Sequence, residues 1–276
     1  MQKFKILIVF LAIAGLGSCK KATERGLTQE QILSVATGAD STEEGSYRID
    51  SYIILKSSYH ENAADTNSYR IELLGKIIED TVTKRLLSVG SLSVDGRTPI
   101  NQSSDGSYYY NYTDNDPDGG KGLFGKEISF DAGGSSDIEG HRRTMYVPNQ
   151  LFTNNFLNYG MRSHISKSQN YPINWYSDPN NPFGKVLIQV TYHPSISRID
   201  FAGAPSSMPL HKYEVADNGS FYIPASHLAG YPVGSVISIS LSRANYTDYY
   251  ANNVRRTKIV YITVVESRTI PLYVTP

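Results

Sequence analysis

"KVLIQVTYH", residues 185–193, decides the class of fold. Successive side chains of an extended chain point to opposite faces, so Val186, Ile188, Val190 and Tyr192 share one side. β-branched and aromatic residues at those places suit a pleated, half-buried surface. A Pro/Asn-rich loop, "SDPNNPFG" (177–184), leads into the stretch. The segment reads as a strand.

The same alternation recurs on either side. "YPINWY" (171–176) puts Ile173 and Trp175 on one face. "DNGSFYIPASHL" (217–228) runs through "AGYPVG" into another alternating strand, "SVISISLSRAN" (235–245). The end, "TKIVYITVVESRTIPLYV" (257–274), reads as a pair of strands. The pattern begins near Tyr47, with "YRIDSYIIL" (47–55), "YRIELLGKIIED" (69–80) and "KRLLSVGSLSVDG" (84–96). Asp95-Gly96 inside "SVDGRTPI" is a hairpin signal, because both turn positions tolerate positive φ. "DGSYYYNYTD" (105–114) and "KEISFDA" (126–132) give two more strands around an acidic, glycine-rich loop. The expected fold is all-β, with two consecutive β-sandwich domains of immunoglobulin or fibronectin III type. "GGSSDIEGHRR" (133–143), poor in apolar residues, is the expected joint between a domain at 47–140 and one at 141–276.

The second half resembles a fibronectin type III domain over residues 144–265. The likeness rests on Trp175, the proline-rich turn, the Gly184-led strand alternating to Tyr192, and a Leu-x-x-x-Pro-x-Gly turn at Leu228 to Gly234. It departs at the corner tyrosine, where Val236 or Ile237 stands.

The chain starts differently. Lys3 and Lys5 precede an apolar run from Ile6 to Ala14, and small residues follow. That is the layout of an export signal, expected to span 1–18, and the run is shorter than the roughly 20 residues of a membrane span. Leu16-Gly17-Ser18-Cys19 resembles the lipobox of bacterial lipoproteins. The resemblance implies that Cys19 carries diacylglycerol, with palmitate-type chains, and becomes the mature N-terminus. It also accounts for a single cysteine in 276 residues, since exported proteins otherwise pair their cysteines. Residues 19–46 are then expected to be lipidated Cys19 and a flexible tether. Within it, "LTQEQILSV" (27–35) offers a turn or two of helix, with Thr28 and Gln31 at capping-box spacing. In lipoproteins of the type it resembles, the residues after the cysteine bear on sorting; here no aspartate follows Cys19, only Lys20 and Lys21, so the resemblance implies the outer membrane and leaves the leaflet open. The chain as a whole is similar to a group of uncharacterised Bacteroidota-type envelope lipoproteins. The residues that carry this are Leu16 to Cys19, Ser93 to Gly96, Ile173 to Trp175 and Asp217 to Pro224. The group implies an envelope location and no particular activity.

Composition narrows the function. Lys+Arg and Asp+Glu are equal at 26, which argues against a nucleic-acid partner. Tyrosine is used 21 times. Sheet packing explains most such rings, and an exposed face of them would suit a glycan or a protein.

The best lead for metal chemistry is "DNDPDGGKGLFG" (114–125). Asp114, Asp116 and Asp118 alternate before Gly119, like the first half of an EF-hand loop, and could hold a structural Ca²⁺. The twelfth position is Gly125 where a bidentate Glu belongs, and a solvated acidic turn is the competing reading. The histidines are His60, His141, His164, His193, His211 and His227. They form no zincin motif, although His193 and His211 could meet across strands. Nucleophile-elbow, β-lactamase-type and phosphate-loop motifs are missing, and no catalytic residue is singled out. The sequence therefore points to a non-catalytic binding or scaffold module on the envelope, anchored to the membrane by its lipid. A subunit of a lipoprotein-derived fimbria is the alternative, and a hydrolase on a β scaffold the third.

Overall fold

The two-residue alternation closes into hydrogen-bonded ladders. The computed structural model describes residues 27–37, 51–60, 68–79, 85–151, 164–200, 205–252, 257–268 and 272–276. The expected signal segment, residues 1–18, and Cys19 lie outside them. The first strands are β1 (Tyr52–His60), β2 (Ser68–Lys76), β3 (Leu92–Val94), β4 (Ser107–Asn111), β5 (Lys126–Ala132), β6 (His141–Val147) and β7 (His164–Ser166). The later ones are β8 (Tyr171–Asn174), β9 (Lys185–Tyr192), β10 (His211–Ala216), β11 (Ser220–Ile223), β12 (Val236–Tyr250), β13 (Lys258–Arg268) and β14 (Leu272–Thr275). Among the described residues strands make up 50% and helix 11%, so the fold is all-β.

A single large sheet carries the molecule, in the order β10-β9-β12-β13-β1-β2-β4, with β14 beside β12 and β7 beside β14. β3-β5-β6 and β8-β11 form two small sheets. The expected division at residues 140 and 141 is crossed by backbone pairing twice. β1 pairs in parallel with β13, Tyr52 opposite Val260. β5 and β6 pair with each other, Ala132 opposite His141, so "GGSSDIEGHRR" is a hairpin connection. Its composition is that of a linker because hairpin loops use the same residues. Packing fixes it in place: a Cβ added at Gly90 (φ +73) would stand 2.1 Å from the Gly134 carbonyl oxygen, a contact only glycine permits. The C-terminal pair is also rearranged. β14 pairs with β12 at Val236 and Ile237, next to the stretch of β12 that pairs with β13.

The sheet has two apolar cores on one face. Ile53, Leu55, Ile71, Leu73, Ile259 and Tyr261 of the large sheet meet Leu92, Val94, Ile128, Phe130 and Met145 of β3-β5-β6. Further along, Val186, Ile188, Val190, Ile237, Ile239 and Leu241 meet Ile173, Trp175 and Ile223 of the β8-β11 ribbon. Each fully buried aliphatic contributes about 1.5–3 kcal/mol. β12 and β13 are long enough to serve both cores. Ile237, Ile239 and Leu241 belong to one core and Tyr249 to the other, with buried Arg243 between them on the same side of β12.

The opposite face is covered where a flexible tether was expected. Helix α1 (Gln29–Thr37) presses Ile32 (0% exposed) and Leu33 onto Ile54, Leu187, Val260, Ile262 and Val264. The capping box forms as its spacing suggests: the Thr28 amide donates to Gln31 Oε1 (2.8 Å) and the Gln31 amide to Thr28 Oγ1 (3.3 Å). Gln29 Nε2 donates to the Ser242 carbonyl at 3.1 Å, and the Leu27 amide to the Tyr246 hydroxyl at 2.8 Å. Apolar side chains on one side of this short segment had a sheet face to bury against. The Asp95-Gly96 hairpin forms as expected, with φ of 52° and 71° and the Arg97 amide closing the turn on the Val94 carbonyl at 3.0 Å.

Candidate binding face

β10 "HKYEVA" alternates, and that alternation builds the most chemically distinctive surface of the protein. Lys212 and Glu214 point away, to ion pairs with Glu30 (2.6 Å) and Lys185 (2.9 Å). His211, Tyr213 and Val215 point to the other side, at the open margin of the second core, where all three are half-buried. Helix α3 (Pro194–Asp200) follows β9, and helix α4 (Ala225–Leu228) follows β11 directly, its start held by the Asn170 side chain accepting from the Ala225 amide at 2.9 Å. The helix brings His227 over β10.

The result is a row of rings. Phe221 lies 5.0 Å from Tyr213, and Tyr213 lies 5.7 Å from His227. His227 stacks on His211 at 4.9 Å with planes 4° apart. His211 meets Tyr231 edge-on at 5.9 Å, and Tyr231 lies 6.3 Å from Tyr192. Ring spacings of 4.5–7 Å are those of favourable aromatic pairs. The row grades from the buried Tyr192 and Tyr231 to the exposed His227. Tyr192 and Tyr231 donate their hydroxyls to the Pro205 and Pro209 carbonyls (2.9 and 3.2 Å), which holds the 205–210 segment alongside. Leu210 (50% exposed) and Val233 (46%) flank the row in sequence, and Tyr222 (62%) is the neighbour of Phe221.

Electrostatics in the row are set by burial. Burial pushes the Tyr231 phenol up to about 12 and raises that of Tyr213. Burial, then the charge of His227, lowers the pKa of His211. The Tyr213 hydroxyl and His227 Nδ1 are hydrogen-bonded at 2.7 Å.

The other residues singled out from the sequence fall elsewhere. Asp116 and Asp118 both ion-pair with Arg97, so a guanidinium of the protein lies against the two carboxylates. Those hydrogen bonds draw the Asp118 carboxyl far below the usual carboxylate range. Asp114 accepts from the Asn111 side chain instead, in the cap of helix α2 (Tyr112–Asn115). Among the described residues no three His, Cys, Asp or Glu side chains gather as a metal site. His193 and His211 do not pair; His193 Nε2 bonds Ser238 Oγ at 2.8 Å. His141 Nε2 meets the buried Tyr261 hydroxyl at 2.6 Å, and its ring stacks on Tyr249 at 3.6 Å. The tyrosines divide as composition suggests: Tyr108, Tyr112, Tyr231 and Tyr261 are core, and Tyr109, Tyr176, Tyr222 and Tyr250 are exposed.

Sequence reasoning missed the row because its two halves, β10 and α4, meet only in the fold. The signal available was His-x-Tyr-x-Val on a strand preceding Pro-Ala-Ser-His-Leu. Comparison with models of protein families, with curated proteins and with solved structures found no match to this chain.

Proposed function

We propose that this is a lipid-anchored binding module of the cell envelope, held to the outer membrane through Cys19, acting without catalysis and taking a glycan on the ring row. The single observation that carries the reading is the graded stack from Tyr231 through His211 and His227 to Tyr213 and Phe221, at a margin open to solvent. Fixed aromatic rings at a solvent-open margin, with His227 exposed and His211, Tyr213 and Phe221 half-buried, offer apolar contact to the C–H face of a sugar. Hydroxyl and imidazole edges supply the polar contacts such a ligand needs. Commitment of the strongest charged groups to internal ion pairs, Arg97 with Asp116 and Asp118 and Arg243 with Asp217, supports binding over catalysis. The Leu16–Cys19 motif supports the anchor.

A glycan array probed with the detergent-solubilised full chain tests the ligand. Binding to defined glycans is expected, weakened at least tenfold by Tyr213→Ala and by Phe221→Ala. Uniform silence across the array removes the reading. Metabolic labelling with a fatty acid tests the anchor, and label should vanish in Cys19→Ser.

A further inference from the structure

We propose that His211 and His227 form a two-histidine site for a divalent late transition-metal ion, zinc above all, in the middle of the ring row. Their imidazoles come from different elements, β10 and α4, and face each other at 4.9 Å with planes only 4° apart. Two nitrogens on one tetrahedral zinc stand about 3.3 Å apart at bond lengths of about 2.0–2.1 Å. Bringing a nitrogen of each ring onto one ion requires the stack to open, and His211, with no hydrogen bond to its ring among the described residues, is the ring that turns.

Three features prepare the pair for a metal. The Tyr213 hydroxyl holds His227 Nδ1 at 2.7 Å, which fixes the ring and leaves Nε2 for a ligand. Metal-binding histidines are oriented by such a partner on their other nitrogen. Among the described residues no hydrogen bond reaches the His211 ring, whose contacts are the two ring faces of His227 and Tyr231. Finally, the neighbouring cation on β10 is turned away from the pair. Lys212, the nearest cation in sequence, points to the opposite side of the sheet and is paired with Glu30. Imidazole donors suit zinc, copper and nickel over calcium or magnesium. Two protein ligands leave the remaining positions open to water, so an exchangeable ion is expected. The inference does not depend on the glycan reading.

Zinc titration of the untagged full chain in detergent, against a chromophoric chelator, is the test. One ion per chain is expected, with affinity reduced at least tenfold in His211→Ala and in His227→Gln, and about tenfold in Tyr213→Phe, which loses only the orienting bond. His164→Ala, at an exposed histidine on β7, should bind as the parent does. Cu²⁺ on the same protein should show coupling to two imidazole nitrogens by electron paramagnetic resonance, falling to one in either single variant. Because both histidines lie at the surface margin, circular dichroism should show the variants folded. Absence of zinc binding by the parent overturns the proposal. Unchanged binding by the folded double variant His211→Ala/His227→Gln does so too.

Discussion

Arg243 occupies the position on β12 where one apolar core ends and the other begins, and its side chain is fully buried. A buried charge is tolerated only when paired and hydrogen-bonded. Nε and an amino group both reach Asp217, each at 2.7 Å, and a second amino group donates to the Asn149 carbonyl at 3.1 Å. Trp175 Nε1 (2.8 Å) and Asn181 Nδ2 (2.9 Å) complete the shell around the same carboxylate. Burial would raise the Asp217 pKa, but the hydrogen bonds from Arg243, Asn181 and Trp175 outweigh it and the net shift is downward. A depressed folded-state pKa means a contribution that is whole above the unfolded value of about 3.9 and lost as pH falls through the folded one. Arg243→Met should therefore lose about 3–5 kcal/mol at neutral pH, because it strands a carboxylate in the interior. Asp217→Asn strands the guanidinium and should lose a similar amount. The double variant should lose less than the two together, since the stranded charge is gone. Urea unfolding of all four proteins measures the coupling; strict additivity would show that the pair does not act as a unit.

The elements differ in how far local sequence determines them. Helix α1 has its own cap and its own apolar side chains, yet nine residues are too few to hold a helix in water without a surface to bury against. Its stability must come from the sheet. Ile32→Ala should cost about 2–5 kcal/mol, as for other large-to-small changes at buried sites. Glu30→Ala, on the exposed side and paired with Lys212, should cost less than about 1 kcal/mol. Thermal unfolding read at Trp175 in the second core would report the loss if helix and sheet unfold together; equal stabilities would mean that the helix is an ornament on the fold. This contrast also explains what could be read in advance. Periodicity and turn chemistry are local, so β9, β12, the Asp95-Gly96 hairpin and the Thr28–Gln31 cap were legible. Docking of α1 was not, because only the large sheet reveals which face was waiting for Ile32 and Leu33. The ring row follows the same rule. One face of β10 could be read from its alternation, but the approach of His227 depended on where β11 delivered α4.

At the scale of the whole molecule, the pairing of β1 with β13 outweighs the local signals that suggested two domains. A parallel partner about 200 residues away leaves no trace in periodicity, and a glycine- and serine-rich loop has the composition of either a hairpin or a linker. The shared sheet has a mechanical consequence. Residues 27–140 contribute β1, β2 and β4, but the strands that continue their sheet, and the Tyr249, Ile259 and Tyr261 side chains that close their core, come from beyond 140. Residues 141–276 hold β12 and β13 but lack α1 and β1, leaving Val260, Ile262 and Val264 uncovered on one face and the long edge of β13 unpaired. An uncovered apolar face beside an open strand edge invites aggregation. Neither piece expressed alone should give a folded protein, and both should show poorly dispersed amide spectra or precipitate. Produced together, they should associate and recover the spectrum of the intact chain, because the interface between them is a hydrogen-bonded strand pair set between two apolar cores. A soluble, cooperatively melting 141–276 fragment would show that the second core closes by itself, and that the strand pairing across residue 140 joins two units that are already stable.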